Sequence, residues 1–89
     1  MARVEFASRE IVESASPGAL PDALFELGLR YCAGREVDMD LVEAHKWFNL
    51  AALRGNAEAR RYRAEVASEL SKAEISRAQR MAREWLAVH

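Results

Sequence analysis

The amino-acid sequence predicts an all-α fold of four to five helices, and three observations support this prediction. No segment alternates apolar and polar residues with the period of two that a half-buried strand requires. Apolar residues recur every three or four positions instead, as they do on one face of a helix. Residue types that begin and end helices bracket four such segments in the correct order. A chain of 89 residues has material for one hydrophobic core.

The first predicted helix begins at Pro21 or Asp22 and ends at Gly34. Proline suits the first turn of a helix, because the amide hydrogen that it lacks would have no partner there. Glycine readily adopts the left-handed conformation that ends many helices. Apolar residues spaced by three or four positions give this segment one apolar face, which comprises Leu20, Leu24, Leu27 and Tyr31.

Capping residues mark the starts of the next two helices. Asp40 precedes the second helix, and Glu43 three positions later can complete a capping box with it. This helix ends at Gly55, and Asn56 then provides the N-cap of the third helix. The apolar face of the third helix comprises Ala59, Tyr62, Val66 and Leu70.

Ser71 and Glu74 form a second capping-box pattern, at the start of the fourth helix. The apolar residues of that helix fall on one side and comprise Ile75, Ala78, Ala82, Trp85 and Leu86. At the other end of the chain, residues 1–19 form either a tail or a fifth, short helix. A segment with proline and glycine, residues 14–19, separates that helix from the rest.

Composition argues against several classes of protein. The chain is 51% apolar and 30% charged, which is typical of a soluble globular domain. A net charge of −1 argues against general binding to nucleic acid. The single cysteine, Cys32, excludes a disulfide framework within the chain. We find neither a signal peptide nor an apolar run of about 18 residues, and so expect a cytoplasmic protein that does not insert into a membrane.

The pattern of one repeat extends from Ala23 to Ala59, 36 positions later. Its positions are Ala23, Leu27, Gly28, Tyr31, Gly34, Val37, Asp40, Ala44, Trp47, Ala51, Ala52, Gly55 and Ala59. This pattern resembles that of the Sel-one-like repeat family, which is related to the tetratricopeptide repeats. The exception is Glu36, where that family usually has a second glycine.

The resemblance implies antiparallel helical hairpins stacked as a short α/α solenoid. It divides the chain into a tail or short helix over residues 1–19, one repeat over residues 20–56, and a degenerate repeat over residues 57–89. The last part would act as a capping hairpin, covering the apolar face of the stack. The family's usual role implies protein–protein interaction, with the chain serving as an adaptor or scaffold. The alternative is a small accessory or regulatory subunit that is permanently docked on a larger enzyme or complex.

The second helix contains the candidate interaction residues. It carries apolar side chains where an exposed helix face would be polar, and the candidates for contact with a partner protein or a second copy are Val42, His45, Leu50 and Leu53. For Leu50 and Leu53, packing beneath the N-terminal segment or the terminal hairpin is an equally good interpretation.

The residues give little support for catalysis, and we expect neither a cofactor nor a metal. Cys32 and His45 lie on adjacent helices and could form a dyad, but a lone buried cysteine usually has a packing role. No spacing typical of a metal site is present. Arginines three positions apart, among them Arg77, Arg80 and Arg83, could bind an anion. Interleaved glutamates favour ion pairs along the helix instead, and we expect no nucleic acid partner.

Overall fold

The computed structural model describes residues 20–89 of the chain. This range contains four α-helices and no strand. The prediction of an all-α fold is confirmed. The predicted tail or short helix over residues 1–19 lies outside the described residues. The helices are α1 (Leu20–Ala33), α2 (Leu41–Leu53), α3 (Ala59–Ala67) and α4 (Lys72–Val88).

Helix α1 ends as its sequence predicts. Gly34 follows it with a φ of +69°, and the amide of Arg35 donates to the carbonyl of Arg30 at 3.0 Å, as in a Schellman motif. Glu36 also has a positive φ, +68°. This is the position at which the repeat pattern has glycine, so a residue with a β-carbon here adopts a conformation that favours glycine.

Helix α2 begins at a cap that differs in one respect from the expected capping box. Asp40 accepts hydrogen bonds from the amides of Val42 and Glu43, at 3.0 and 3.1 Å. The carboxylate of Glu43 does not complete the box. It accepts a hydrogen bond from Trp47 Nε1 at 3.1 Å and pairs with Lys46 Nζ at 3.2 Å, so these two partners hold it along the helix.

Helix α3 is preceded by a turn that Asn56 caps. Its side-chain oxygen accepts hydrogen bonds from the amides of Glu58 and Ala59, at 3.0 and 2.9 Å. Its amide nitrogen donates to Asp22 at 3.0 Å, which ties this turn to the start of α1. Leu70, expected on the face of this helix, lies beyond the end of α3 at Ala67, in the turn before α4.

Helix α4 begins with a complete capping box. The amide of Glu74 donates to Ser71 Oγ at 3.1 Å, and the amide of Ser71 donates to Glu74 Oε1 at 2.9 Å. The prediction of this cap is therefore confirmed. Its buried residues, Ala78 and Ala82, belong to the predicted apolar side.

Helix α2 is the centre of the fold, because it packs against each of the other three helices. Helices α3 and α4 both lie against α2 and make few direct contacts with each other. Their buried side chains explain this arrangement. Val66 of α3 packs with Ala44 and Phe48 of α2, whereas Ala82 of α4 belongs to a second cluster around Trp47.

Two aromatic pairs link the helices across the core. Phe25 of α1 meets Tyr62 of α3 edge to face, with ring centroids 5.0 Å apart. Trp47 of α2 meets Trp85 of α4 in the same manner at 5.9 Å. Such edge-to-face contacts are favourable arrangements of aromatic rings, and here they join α3 to α1 and α4 to α2.

Candidate functional site

The four residues predicted as an interaction face of α2 do not form one surface. Val42, His45 and Leu50 are buried, and only Leu53, 61% exposed, is accessible at the end of the helix. The central position of α2 is the physical reason, since a helix that packs against three others has no free face. For Leu50, the interpretation as a packing residue is correct: it lies in the cluster that contains Trp47.

His45 is an unusual member of the buried set because it is polar and only 3% exposed. No described group bonds to its Nδ1 atom. Burial lowers the pKa of His45 from its ordinary value near 6.5, and the nearby Arg63 guanidinium lowers it further, since both disfavour the charged ring. Arg63 itself is held in place by a hydrogen bond of 2.6 Å from its Nη1 to Asn49 Oδ1.

Cys32 of α1 packs against the apolar cluster that Ala44, Phe48 and Val66 form. Burial raises the pKa of its thiol, and the carboxylates of Glu69 and Glu65 raise it further. A nucleophilic cysteine needs the opposite environment, one that favours the thiolate. The structure shows no bond between Cys32 and His45 Nδ1, which has no described partner.

Large apolar side chains are exposed at three separate points of the described chain. Met39 lies in the loop between α1 and α2 and is 64% exposed, Leu53 ends α2, and Val88 ends α4. Single exposed apolar residues are common on protein surfaces and do not define a site by themselves.

The charged surface differs from the sequence prediction. We expected the arginines of α3 and α4 to pair with glutamates four positions away. Of these arginines Arg61 alone forms an ion pair, with Glu58 three positions away, and the other ion pairs of residues 20–89 join Arg30 to Glu36, Arg35 to Glu26 and Lys46 to Glu43. None of these involves α4, so its arginines are unpaired with any described acidic side chain. The residue types alone could not show this, because a glutamate at pairing distance along a helix can equally remain in solvent.

Searches for two other kinds of site were negative within the described residues. No group of three or more histidine, cysteine, aspartate or glutamate side chains in residues 20–89 is arranged to hold a metal ion. Among the same residues, every helix is too short or too polar to cross a membrane.

Comparisons of the chain with protein-family models, with curated proteins and with solved structures found no match.

Proposed function

We propose that this chain is a non-catalytic protein–protein interaction module, an adaptor or scaffold related to the Sel-one-like repeats, that binds a partner protein through a helix face. The observation that supports the proposal is the similar separation along the chain of the partners in the two aromatic pairs. Phe25 and Tyr62 join the first helix of each helix pair, and Trp47 and Trp85 join the second helices. The partners in each case are separated along the chain by roughly one repeat length, about 35–40 residues.

The signature residues of the repeat have packing roles that support the same interpretation. Gly28 lies directly against the ring of Phe48, where a larger residue would not fit. Ala44 and Ala51 are fully buried at the contacts of α2. Small residues at such positions let helices approach closely, which is the purpose they serve in stacked helical repeats. A shared architecture indicates a class of function, and the surface residues determine the particular partner.

The face that binds a partner cannot be that of α2, which the core occupies. The outer sides of α1, α3 and α4 remain as surfaces that a partner can contact. Of these, the solvent side of α4 is the longest continuous surface, since α4 extends from Lys72 to Val88.

Affinity purification of the tagged full chain from its own cells tests the proposal. The matched control is Trp47→Ala, which removes a core side chain and should unfold the domain. We expect a stoichiometric partner that the native chain retains and the control loses, and that forms a complex of defined mass with the purified chain. A native chain that is recovered alone, and is monomeric in solution, would overturn the proposal. A partner that does not exchange over hours would identify the chain as a permanently docked accessory subunit instead.

A further inference from the structure

The solvent side of α4 carries a row of three arginines. Arg77, Arg80 and Arg83 follow one another at intervals of three residues, and all three are exposed. They lie opposite the side of α4 that contains the buried Ala78 and Ala82. With a rise of about 1.5 Å per residue, the row extends over roughly 9 Å of helix. We call these three residues the arginine row.

The arginine row forms no ion pair within the described chain, whereas two other exposed arginines do. Arg35 pairs with Glu26 at 3.0 Å and Arg61 pairs with Glu58 at 3.6 Å. No residue of the row forms an ion pair with a described acidic side chain. Arg77 is close enough to contribute to the lowered pKa of Glu74, but the larger cause is hydrogen bonding of that carboxylate to Ser71. Three like charges therefore lie on one helix face without an ion pair, and the interaction of Arg77 with Glu74 is a minor one.

We propose that the arginine row is the surface through which the interaction module contacts its partner, and that the partner presents an acidic protein segment with several carboxylates. This inference rests on the proposed function and specifies the chemistry of the partner. The arginine guanidinium is planar and presents donors that match a carboxylate in a bidentate manner. Neighbours on the same face, Ala73 and Ser76, are small and exposed, so they leave the guanidinium groups accessible.

Charge favours an acidic protein segment over nucleic acid. Proteins that bind nucleic acid usually show a strongly basic domain, with a pI above about 9. This chain has a net charge of −1, and its sequence pI is near 6.1. Glu84 is exposed one turn after Arg80 on the same side of α4, and Glu69 is exposed before the helix begins, so the positive surface is short. A short acidic segment matches a surface of this length better than an extended nucleic acid strand does.

The binding of a fluorescein-labelled poly-glutamate peptide, followed by fluorescence anisotropy at low ionic strength, tests the proposal with the full chain. One variant combines Arg77→Glu, Arg80→Glu and Arg83→Glu. A matched control combines Arg54→Glu, Arg60→Glu and Arg61→Glu, which changes the net charge by the same amount elsewhere on the surface. We expect the first variant to weaken binding by about tenfold or more, since three exposed pairs of about 0.5 kcal/mol correspond to that factor. The control should weaken it by much less.

Three results would overturn the proposal. Equal losses in the two variants would mean that binding follows net charge alone. Tighter binding of a labelled single-stranded oligonucleotide, lost in the row variant, would assign the row to nucleic acid. Self-association of the native chain in sedimentation experiments, lost in the row variant, would make a second copy the occupant. Circular dichroism of each variant checks that the helices persist.

The affinity purification separates failure of this inference from failure of the proposed function. If the row variant still captures the partner that the native chain captures, the proposed interaction function is supported, but the contact surface is not the arginine row. If the native chain captures none, the proposed function itself fails.

Discussion

Gly28 of α1 and Phe48 of α2 occupy adjoining space with no room for a further carbon atom. A β-carbon built on Gly28 would lie 2.5 Å from Cδ1 of the Phe48 ring, and Phe48 is fully buried. The closest approach of the two central helices therefore depends on the absence of a side chain at residue 28. Because Phe48 also packs against Tyr62 and Phe25, its ring cannot move away cheaply.

Gly28→Ala should destabilise the fold by about 1–3 kcal/mol, the usual cost of overpacking a core. Alanine alone would favour a helix by up to about 1 kcal/mol over glycine, so a net loss isolates the steric effect. Urea unfolding of the variant measures it. Combining Gly28→Ala with Phe48→Leu makes room for the new methyl group. The double variant should therefore lose less free energy of unfolding than the two single variants lose together. Simple additivity would show that the two residues do not compete for space.

Trp47→Ala should destabilise the fold by about 3–5 kcal/mol, the range for a large buried aromatic residue. Trp47 is buried against Trp85, and its indole nitrogen donates to Glu43. Total stabilities of domains this small are of a similar size, so the variant should be largely unfolded at room temperature. Circular dichroism and urea unfolding measure the loss, with Trp47→Phe as a milder control. A loss below about 1 kcal/mol in the alanine variant would contradict the central role of this side chain.

Local sequence signals predicted the helices well because capping acts over a few residues. Asp40 and Ser71 cap their helices as predicted, whereas Asn56 caps the turn before α3 and Glu58 is the N-cap of that helix. Glu43 did not complete its capping box, because Trp47 and Lys46 compete for the same carboxylate. A pattern of residue types shows that a side chain can form a hydrogen bond, but it does not show with which of several partners the bond forms.

The location of the site was harder to predict for a different physical reason. Apolar residues on every side of α2 were compatible with an exposed patch or with a central helix, and only the packing of α3 and α4 decides between them. Leu50 and Val42 became core residues for that reason. The arginine row was visible in the sequence, but whether its members pair with glutamates depends on side-chain positions in solvent, which spacing does not determine.

Glu36→Gly should stabilise the fold by about 0.5–1 kcal/mol. Glu36 has a φ of +68°, and a residue with a β-carbon in this region loses roughly 1–2 kcal/mol. The substitution also removes an ion pair of 2.8 Å with Arg30, which is partly exposed and offsets some of the gain. Glu36→Ala is the matched control, since it removes the same ion pair and keeps the β-carbon. In thermal unfolding, the glycine variant should have a higher Tm than the alanine variant. A lower Tm of the glycine variant would rule out backbone strain at residue 36.

The stability of the fold should decrease as the pH falls below about 6.5, because of His45. Burial lowers the pKa of His45 in the folded chain, so the unfolded chain binds more protons once the pH falls through the ordinary histidine pKa. The contribution of neutral His45 is therefore complete above pH 6.5 and is lost progressively below it, until the folded-state pKa is passed. Urea unfolding at pH 7.5 and at pH 5.5 compares the two sides of this window, above the range in which most carboxylates titrate.

Two histidine variants test whether His45 causes the loss of stability at low pH. His45→Gln retains a polar side chain of similar size that does not titrate, so its free energy of unfolding should change less between the two pH values. His89→Gln is the matched control, because it removes the other histidine of the chain at an exposed position at the end of α4. If the decrease persists in His45→Gln and disappears in His89→Gln, the terminal histidine is responsible and the buried ring is not. Stability that does not change between the two pH values in the native chain would show that His45 gains a proton as readily in the folded state as in the unfolded state.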